Sequence, residues 1–346
     1  MGHACIRFHD GAKIEDYTRP YIVAEVNSSH NGDIETAKKM IDAATACGCD
    51  CVKFQSWTTD SLYAKTYYKE NPIAKRFVDK FSLSADALKF LSEYCRTKGV
   101  SFSSTPYSEA EVDFLIDVCN VPFIKIASME LNHPDFLRYI GRKKSPVVLS
   151  TGMGEMEEIR QAVKILQEAG TTQLVLLHCV SLYPTKVETV NLNNIIGLRK
   201  IFPMCPIGFS DHTEGDAAAV AAVALGSAMI EKHLTLDRTK VGMDNGMAAE
   251  PNELRQLVDN CRMIQTALGS EERVVQPEEY EQRKKMRRSV CVTRDLPAGH
   301  VLERSDLYAK RPGTGISPEH IESLIGHRLK RAVDNDMLLY TEDVEN

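Results

Sequence analysis

The chain has 346 residues, of which 43% are hydrophobic and 26% charged, the balance of an ordinary soluble globular protein. No apolar run approaches the roughly 18 residues that span a bilayer, and the N-terminal segment lacks the apolar core of a secretory signal. The net charge of −6 argues against a nucleic-acid binder. Ten cysteines are too few for a disulfide scaffold, so we expect a reduced, cytoplasmic protein without membrane or nucleic-acid partners.

Short apolar runs alternate with amphipathic helical segments over residues 1–270. The predicted strands lie at 21–26, 51–55, 100–105, 122–128, 146–151, 173–178, 206–210 and 228–234. The predicted helices lie at 33–48, 84–98, 108–118, 132–142, 155–169, 191–200, 215–226 and 252–268. Apolar strands separated by helices are buried on both faces and pair in parallel. Eight such units predict a (β/α)8 TIM barrel; the alternative is a doubly wound sheet, disfavoured because no G-x-G-x-x-G follows the first strand.

The C-terminal part of the chain has a different pattern. Residues 271–289 are highly charged and are interpreted as a linker with some helix, whose basic run is either an anion site or a solvated connection. Residues 290–346 are rich in short strands and turns, and 296–307 align without gaps with 333–344. We therefore predict a small β-rich domain, too short for a large core of its own.

Functional residues of a parallel barrel collect at the carboxyl ends of its strands. Two lysines there, Lys53 and Lys125, have the charge to bind phosphate and carboxylate groups. Hydroxyls that donate hydrogen bonds accompany them at Thr105, Ser128, Ser150 and Ser210. Imine formation by a buried lysine is the alternative chemistry, with Lys125 and Lys232 as candidates. Since Lys232 alternates with its neighbours along the strand, it is also interpreted as facing the helices.

A second group of residues suits a metal ion. His212 and His233 end adjacent predicted strands, and Glu25, Asp211 and Glu231 lie near them in the predicted barrel. Two imidazoles with water and carboxylate oxygens suit a divalent metal such as Mn²⁺ or Zn²⁺. A structural role for each histidine is the alternative.

Motifs at these strand ends resemble those of the sialic acid synthase family. The matching stretches are A-E-V-N-S-S-H-N-G (24–32), V-K-F-Q (52–55), S-S-T-P (103–106), I-K-I-A-S (124–128), L-S-T-G-M (149–153), L-L-H-C-V-S-L-Y-P-T (176–185), F-S-D-H-T (209–213) and E-K-H-L-T-L-D (231–237). The tail at 295–318 is similar to the antifreeze-like (SAF) domain that ends these synthases.

The resemblance implies a synthase that condenses phosphoenolpyruvate with the open-chain aldehyde of an N-acylated hexosamine, giving a nonulosonic acid and phosphate. It implies a homodimer in which the small domain of one subunit caps the barrel of the other. His212 and His233 match ligands for Mn²⁺, with Mg²⁺ or Co²⁺ as alternatives, and Glu25 matches the acidic residue beside the metal. The implied catalytic residues are Glu25, Lys53, Lys125 and Glu231. The residues implied to hold phosphoenolpyruvate are Lys53, Thr105, Lys125, Ser128, Ser150, Ser181 and Ser210, and those implied to hold the sugar are Gln55, Tyr183, Asp244 and Arg311.

The sequence departs from the family pattern at two places that bear on the sugar. Asn27 stands where the family usually has Gly, and Ser29 where it has Asn. The family's loop usually has G-P-D-H and then a Ser before the acidic residue and Pro. Here the loop 242–251 reads G-M-D-N-G-M-A-A-E-P, so Asp244 and Glu250 remain but the Pro and His around the Asp and the Ser before the Glu are missing. The alternatives are a related synthase for another or a phosphorylated aldose, a Schiff-base pyruvate aldolase, and a non-enzymatic sugar-binding or structural protein. Two lysines and two histidines at one end of the barrel argue against the last.

Overall fold

The computed structural model describes residues 3–345, which form two compact units divided after Gly269. The strands are β1 Cys5–Arg7, β2 Lys13–Glu15, β3 Tyr21–Glu25, β4 Cys51–Gln55, β5 Ser101–Thr105, β6 Ile124–Ile126, β7 Val147–Ser150, β8 Leu174–Cys179, β9 Ile207–Asp211, β10 Met229–His233, β11 Ser289–Val292 and β12 Leu307–Lys310. The helices are α1 Ile34–Ala46, α2 Thr59–Leu62, α3 Lys65–Glu70, α4 Pro72–Phe81, α5 Ala85–Lys98, α6 Glu109–Asp117, α7 Pro134–Arg142, α8 Met156–Ala169, α9 Asn193–Ile201, α10 Ala217–Ala224, α11 Pro251–Leu268, α12 Pro277–Met286 and α13 Ile321–Leu324.

The first unit is built on one sheet of eight parallel strands. Their order is β5-β4-β3-β10-β9-β8-β7-β6, so the two strands adjacent in the chain, β5 and β6, lie at its two ends. Between these ends, Ser103 Oγ donates a hydrogen bond to the carbonyl of Phe123 at 3.3 Å. The sheet is thus a nearly closed (β/α)8 barrel, which confirms the predicted fold, and each predicted strand and helix is present.

The two faces of the barrel strands have different surroundings. Outward residues such as Ile22, Val52 and Phe209 pack with the helices in the main core. Inward residues at the amino ends of the strands are also apolar, and they pack with Ile6 and Ile14 of the β1–β2 hairpin in a second core. Since side chains alternate along a strand, inward positions nearer the carboxyl ends are left to carry the polar groups.

Two parts of this unit were not predicted from the sequence. The β1–β2 hairpin packs at the amino end of the barrel interior. The second part is an insert of three short helices, α2 to α4, between β4 and α5. This insert has a hydrophobic cluster of its own, formed by Trp57, Tyr68, Val78 and Phe81. No helix among residues 3–345 has both the length and the apolar character needed to cross a membrane.

The second unit contains α12, the antiparallel pair β11–β12, α13 and several isolated bridges. The aligned segments at 296–307 and 333–344 have matching local structure. Leu296 pairs with Val333, the first residues of the two segments. Asp306 is held by Arg294 and caps the turn at Glu303, while Asp343 is held by Arg331 and caps the turn at Tyr340. The internal repeat therefore has the same arginine–aspartate pair in each copy.

Candidate active site

The carboxyl ends of the barrel strands surround a cavity of about 350 Å³. It is lined by all the barrel residues to which the family resemblance gave a role: Glu25, Lys53, Gln55, Thr105, Lys125, Ser128, Ser150, Ser181, Tyr183, Ser210, His212, Glu231, His233 and Asp244. Lining residues that sequence reasoning did not assign are Asn27, Trp57, Leu62, Tyr63, Tyr107, Ala127, Met129, Met153, Cys179 and Met243. Arg311 is an exposed residue of the second unit.

Two lysines and two glutamates form a buried charge cluster in the cavity floor. Each follows an apolar inward residue by two positions, so the strand alternation directs all four inward. Lys53 forms an ion pair with Glu25 and lies 3.7 Å from Glu231 Oε1, and Lys125 Nζ lies 3.1 Å from the same oxygen. Ser210 Oγ donates to Glu231 at 3.2 Å, and Lys53 Nζ donates to Thr105 Oγ1 at 3.2 Å. The cluster is neutral in total when all four groups are ionised.

Burial and the neighbouring charges give Glu25 and Glu231 different pKa values. Burial, with the charge of Glu231, raises the pKa of Glu25 to about 6. The same burial acts on Glu231, but Lys125 and Lys53 outweigh it and lower its pKa to about 2. Burial also lowers the pKa of Lys125, whereas the neighbouring carboxylates keep that of Lys53 above its ordinary value. Glu25 is therefore the carboxylate of this cluster that is suited to accept a proton near neutral pH.

The hydroxyls on one side of the cavity surround a glycine. The Gly152 N–H donates to Ser128 Oγ at 3.0 Å. A Cβ at Gly152 would lie 2.4 Å from Ser181 Oγ, 2.8 Å from Cys179 Sγ and 2.9 Å from Ser128 Oγ, closer than real side chains approach. Only glycine brings the backbone this near to both serines, which form a hydroxyl-lined recess on the same side as Lys125.

His212 and His233 lie edge to face, with ring centroids 5.3 Å apart and ring planes at 70°. His212 Nδ1 donates to the carbonyl of Val180 at 2.8 Å, so its Nε2 carries the lone pair; this nitrogen lies 3.4 Å from Ser210 Oγ. Burial lowers the pKa of both imidazoles, and the charge of His212 lowers that of His233 further. Both rings are therefore held in the neutral, metal-binding form. Among residues 3–345 no group of three or more His, Cys, Asp or Glu is placed to hold a metal. The pair fits a metal as two of its ligands.

Lys232 and Asp211 lie outside the cavity. Lys232 Nζ donates to Asp211 Oδ2 at 2.8 Å, to the carbonyl of Thr213 at 2.6 Å and to that of Gly215 at 2.9 Å. Both side chains point to the helix side of the sheet, since they alternate with the inward residues of β9 and β10. Of the two interpretations of Lys232, the structure therefore supports the one in which it faces the helices. Asp211 is next to His212 in the chain, but its carboxylate points away from the cavity.

The two departures from the family pattern are in contact with each other. The side-chain amide of Asn27 donates to Asp244 Oδ2, and Ser29 Oγ donates to Asn245 Oδ1 at 2.6 Å. Asn27 adopts a left-handed backbone conformation with φ of 42°, which Gly and Asn tolerate best. Burial raises the pKa of Asp244, and the amide of Asn27 partly offsets this. The unusual residues of the first loop thus hold the unusual loop that carries Asp244.

Comparison with known proteins identifies the family. The NeuB family model matches residues 40–273, more than half of the chain. The chain belongs to the NeuB family. A SAF domain model matches residues 287–345, in agreement with the predicted C-terminal domain. Both matches confirm the resemblance that the strand-end motifs suggested.

Several of the relatives are named as synthases. The N,N'-diacetyllegionaminic acid synthase of Legionella pneumophila is 36% identical over 338 residues, covering 94% of each chain. The human N-acetylneuraminate-9-phosphate synthase is 34% identical over 342 residues, covering 94% of this chain and 93% of the human one. The solved structure of N-acetylneuraminic acid synthetase from Leptospira borgpetersenii has a TM-score of 0.74 at 32% identity, covering 81% of this chain and 95% of that one. This NeuB family member is accordingly a synthase, which confirms the predicted enzyme class.

Proposed function

We propose that this enzyme condenses phosphoenolpyruvate with the open-chain aldehyde of an N-acylated hexosamine and releases inorganic phosphate. The carbon–carbon bond forms between C3 of phosphoenolpyruvate and the aldehyde carbon. Water then adds to C2, and the tetrahedral intermediate expels phosphate to leave the keto group of a nonulosonic acid. The observation that carries the proposal is the buried cluster of Lys53, Lys125, Glu25 and Glu231 beside a hydroxyl-lined recess and a histidine pair.

The chain's own residues supply most of this chemistry. In the proposal, Lys53 and Lys125 offset the phosphate and carboxylate charges of phosphoenolpyruvate. The surrounding hydroxyls donate hydrogen bonds to those groups, and they belong to Thr105, Ser128, Ser150, Ser181 and Ser210. Because these groups are fixed before the substrate arrives, they stabilise the developing charges better than water does. Glu25 accepts the proton of the water that adds to C2, a role that its pKa of about 6 suits.

The sugar side of the proposal involves the metal pair and two subunits. His212 and His233 would hold the divalent metal, Mn²⁺ in our proposal, which when bound polarises the aldehyde oxygen as a Lewis acid. Gln55, Tyr183 and Asp244 contact the sugar from the barrel. Tyr183 lies 4.3 Å from the His212 ring, between centroids. The enzyme is proposed to act as a homodimer in which Arg311 of the partner subunit reaches the acyl group.

A phosphate-release assay tests the proposal. Phosphoenolpyruvate and Mn²⁺ are supplied with N-acetylmannosamine, its 6-phosphate, or a 2,4-diacetamido hexose, and we expect sugar-dependent phosphate release with at least one of them. Borohydride trapping with pyruvate is the control for a Schiff-base aldolase, and we expect no trapped adduct. Absence of sugar-dependent phosphate release, together with a trapped lysine, would contradict the proposal.

A further inference from the structure

The amide of Gln55 has a fixed orientation in the cavity. The indole Nε1–H of Trp57 donates to Gln55 Oε1 at 2.9 Å, and Tyr107 Oη donates to the same oxygen at 2.8 Å. An indole N–H is a donor only, so the amide atom that faces Trp57 is the oxygen. The two ends of an amide are otherwise easily exchanged in a structure, and here the donor-only indole removes that ambiguity. Both lone pairs of the Gln55 oxygen are occupied.

The amide nitrogen of Gln55 consequently faces the charge cluster. Nε2 lies 3.5 Å from Glu25 Oε1, an oxygen that also accepts the Asn27 backbone N–H at 2.7 Å. An amide nitrogen carries two N–H groups, and one of them suffices for Glu25. The other is free to donate to a molecule in the cavity that Gln55 lines.

We propose that Gln55 acts only as a hydrogen-bond donor to the sugar, and that Trp57 and Tyr107 are positioning residues that fix this polarity. The proposal rests on the proposed function, because it assigns the sugar to this cavity. It specifies the substrate further: the group that meets Gln55 is an acceptor, either an acyl carbonyl or a hydroxyl oxygen.

The positioning residues are themselves held by the helical insert. Trp57 is 2% exposed and packs with Tyr68, Val78 and Phe81, and Tyr107 packs against the same cluster. Burial raises the pKa of the Tyr107 hydroxyl well above its ordinary value, so that it remains a donor throughout the working pH range. Correct packing of α2 to α4 thereby sets the orientation of an amide in the active site.

The orientation is testable without turnover because Trp57 is the single tryptophan of the chain. A ¹H–¹⁵N spectrum of the protein has one indole cross-peak, which reports the hydrogen bond to Gln55. In Gln55→Leu we expect this peak to move upfield and to exchange faster with solvent. In Gln55→Glu a carboxylate oxygen replaces the amide oxygen as acceptor, so the peak is expected to stay downfield. An unmoved peak in Gln55→Leu overturns the assigned orientation.

Kinetics test the donor role with the same three sugars at pH 8. Gln55→Leu has no N–H to offer and adds no charge beside Glu25, so we expect the KM for the sugar to rise about tenfold or more while the KM for phosphoenolpyruvate changes by less than about twofold. Trp57→Phe and Tyr107→Phe should each raise the sugar KM less than their double variant, because one donor still holds the amide. Tyr68→Phe is the matched control, since the buried Tyr68 hydroxyl has no hydrogen-bond partner among the described residues.

The possible results separate the two proposals. A wild-type sugar KM in Gln55→Leu, or an equal effect of Tyr68→Phe, overturns the donor role. If the wild-type enzyme turns over none of the three sugars while the indole peak shifts as expected, the proposed function is contradicted and the orientation of Gln55 is supported.

Discussion

Replacing Lys53 with methionine tests the buried charge cluster directly. Lys53 is the cation paired with Glu25, whose pKa is about 6 instead of the ordinary 4.5 even with that cation present. In Lys53→Met the Glu25 carboxylate loses this partner, so its pKa rises further. Glu231 keeps Lys125 at 3.1 Å and the Ser210 hydroxyl at 3.2 Å, and it stays ionised.

The size of the effect follows from proton linkage. Above pH 6 the Glu25 carboxyl group is ionised in the folded wild type but stays protonated in the folded variant. In the unfolded chain of both proteins this group is ionised. A folded state that binds an extra proton loses stability as the pH rises, by about 1.4 kcal/mol per unit. Apart from any change in packing that is independent of pH, Lys53→Met should lose stability relative to wild type as the pH rises from 6 to 8, by on the order of 1 kcal/mol per pH unit. Near pH 6 the pH-dependent part of this difference in stability disappears.

The assay is urea unfolding of EDTA-treated protein at several pH values from 6 to 8, followed by the fluorescence of Trp57. The double variant Glu25→Gln/Lys53→Met is the control, because it has no carboxyl group at position 25 to titrate and should not show the added pH dependence. If the stability of Lys53→Met relative to wild type is the same at pH 6 and pH 8, the buried pairing of Lys53 with Glu25 is refuted.

Three further substitutions test other parts of the site. His233→Ala should abolish tight Mn²⁺ binding, measured by metal analysis after dialysis, and most activity; retained metal-dependent turnover would contradict the metal assignment. Arg311→Ala should raise the KM for the sugar about tenfold with little change for phosphoenolpyruvate, and an unchanged sugar KM would count against a role across subunits. Gly152→Ala places a methyl group 2.4 Å from Ser181 Oγ, so the KM for phosphoenolpyruvate should rise about tenfold or more. Gly197→Ala, with no atom within 4 Å of its Cβ, is the control and should behave as wild type.

The barrel was predictable because most of its strands are short, largely apolar runs that end in polar residues, and helical patterns separate them. The same regularity located much of the site. Glu25, Lys53 and Lys125 each lie two residues beyond an apolar inward position, and the period of two places them in the interior. The direction of the Lys232 side chain was left open because an isolated lysine in a buried strand fits either face of the sheet. Its outward direction follows from the inward placement of Glu231 and His233.

The elements that were not predicted are too short to show a hydrophobic pattern in the sequence. Strands β1 and β2 have three residues each, too few to show an alternation. The helices of the insert are short, and one of them has only four residues. Trp57 and Tyr107 read as ordinary core aromatics, because nothing in the sequence shows that their polar atoms meet at Gln55. A tryptophan two residues beyond a polar strand end was the signal available. The role proposed for Arg311 requires a second subunit, which the sequence of one chain does not position.

The most direct measurement of the central claim follows the bridging oxygen of phosphoenolpyruvate. The enzyme is incubated with Mn²⁺, phosphoenolpyruvate carrying ¹⁸O between C2 and phosphorus, and the sugar that gives phosphate release. Because in the proposed reaction water adds to C2 and phosphate leaves with the bridging oxygen, we predict that ³¹P NMR finds the label in inorganic phosphate. Label retained in the keto acid would contradict the account.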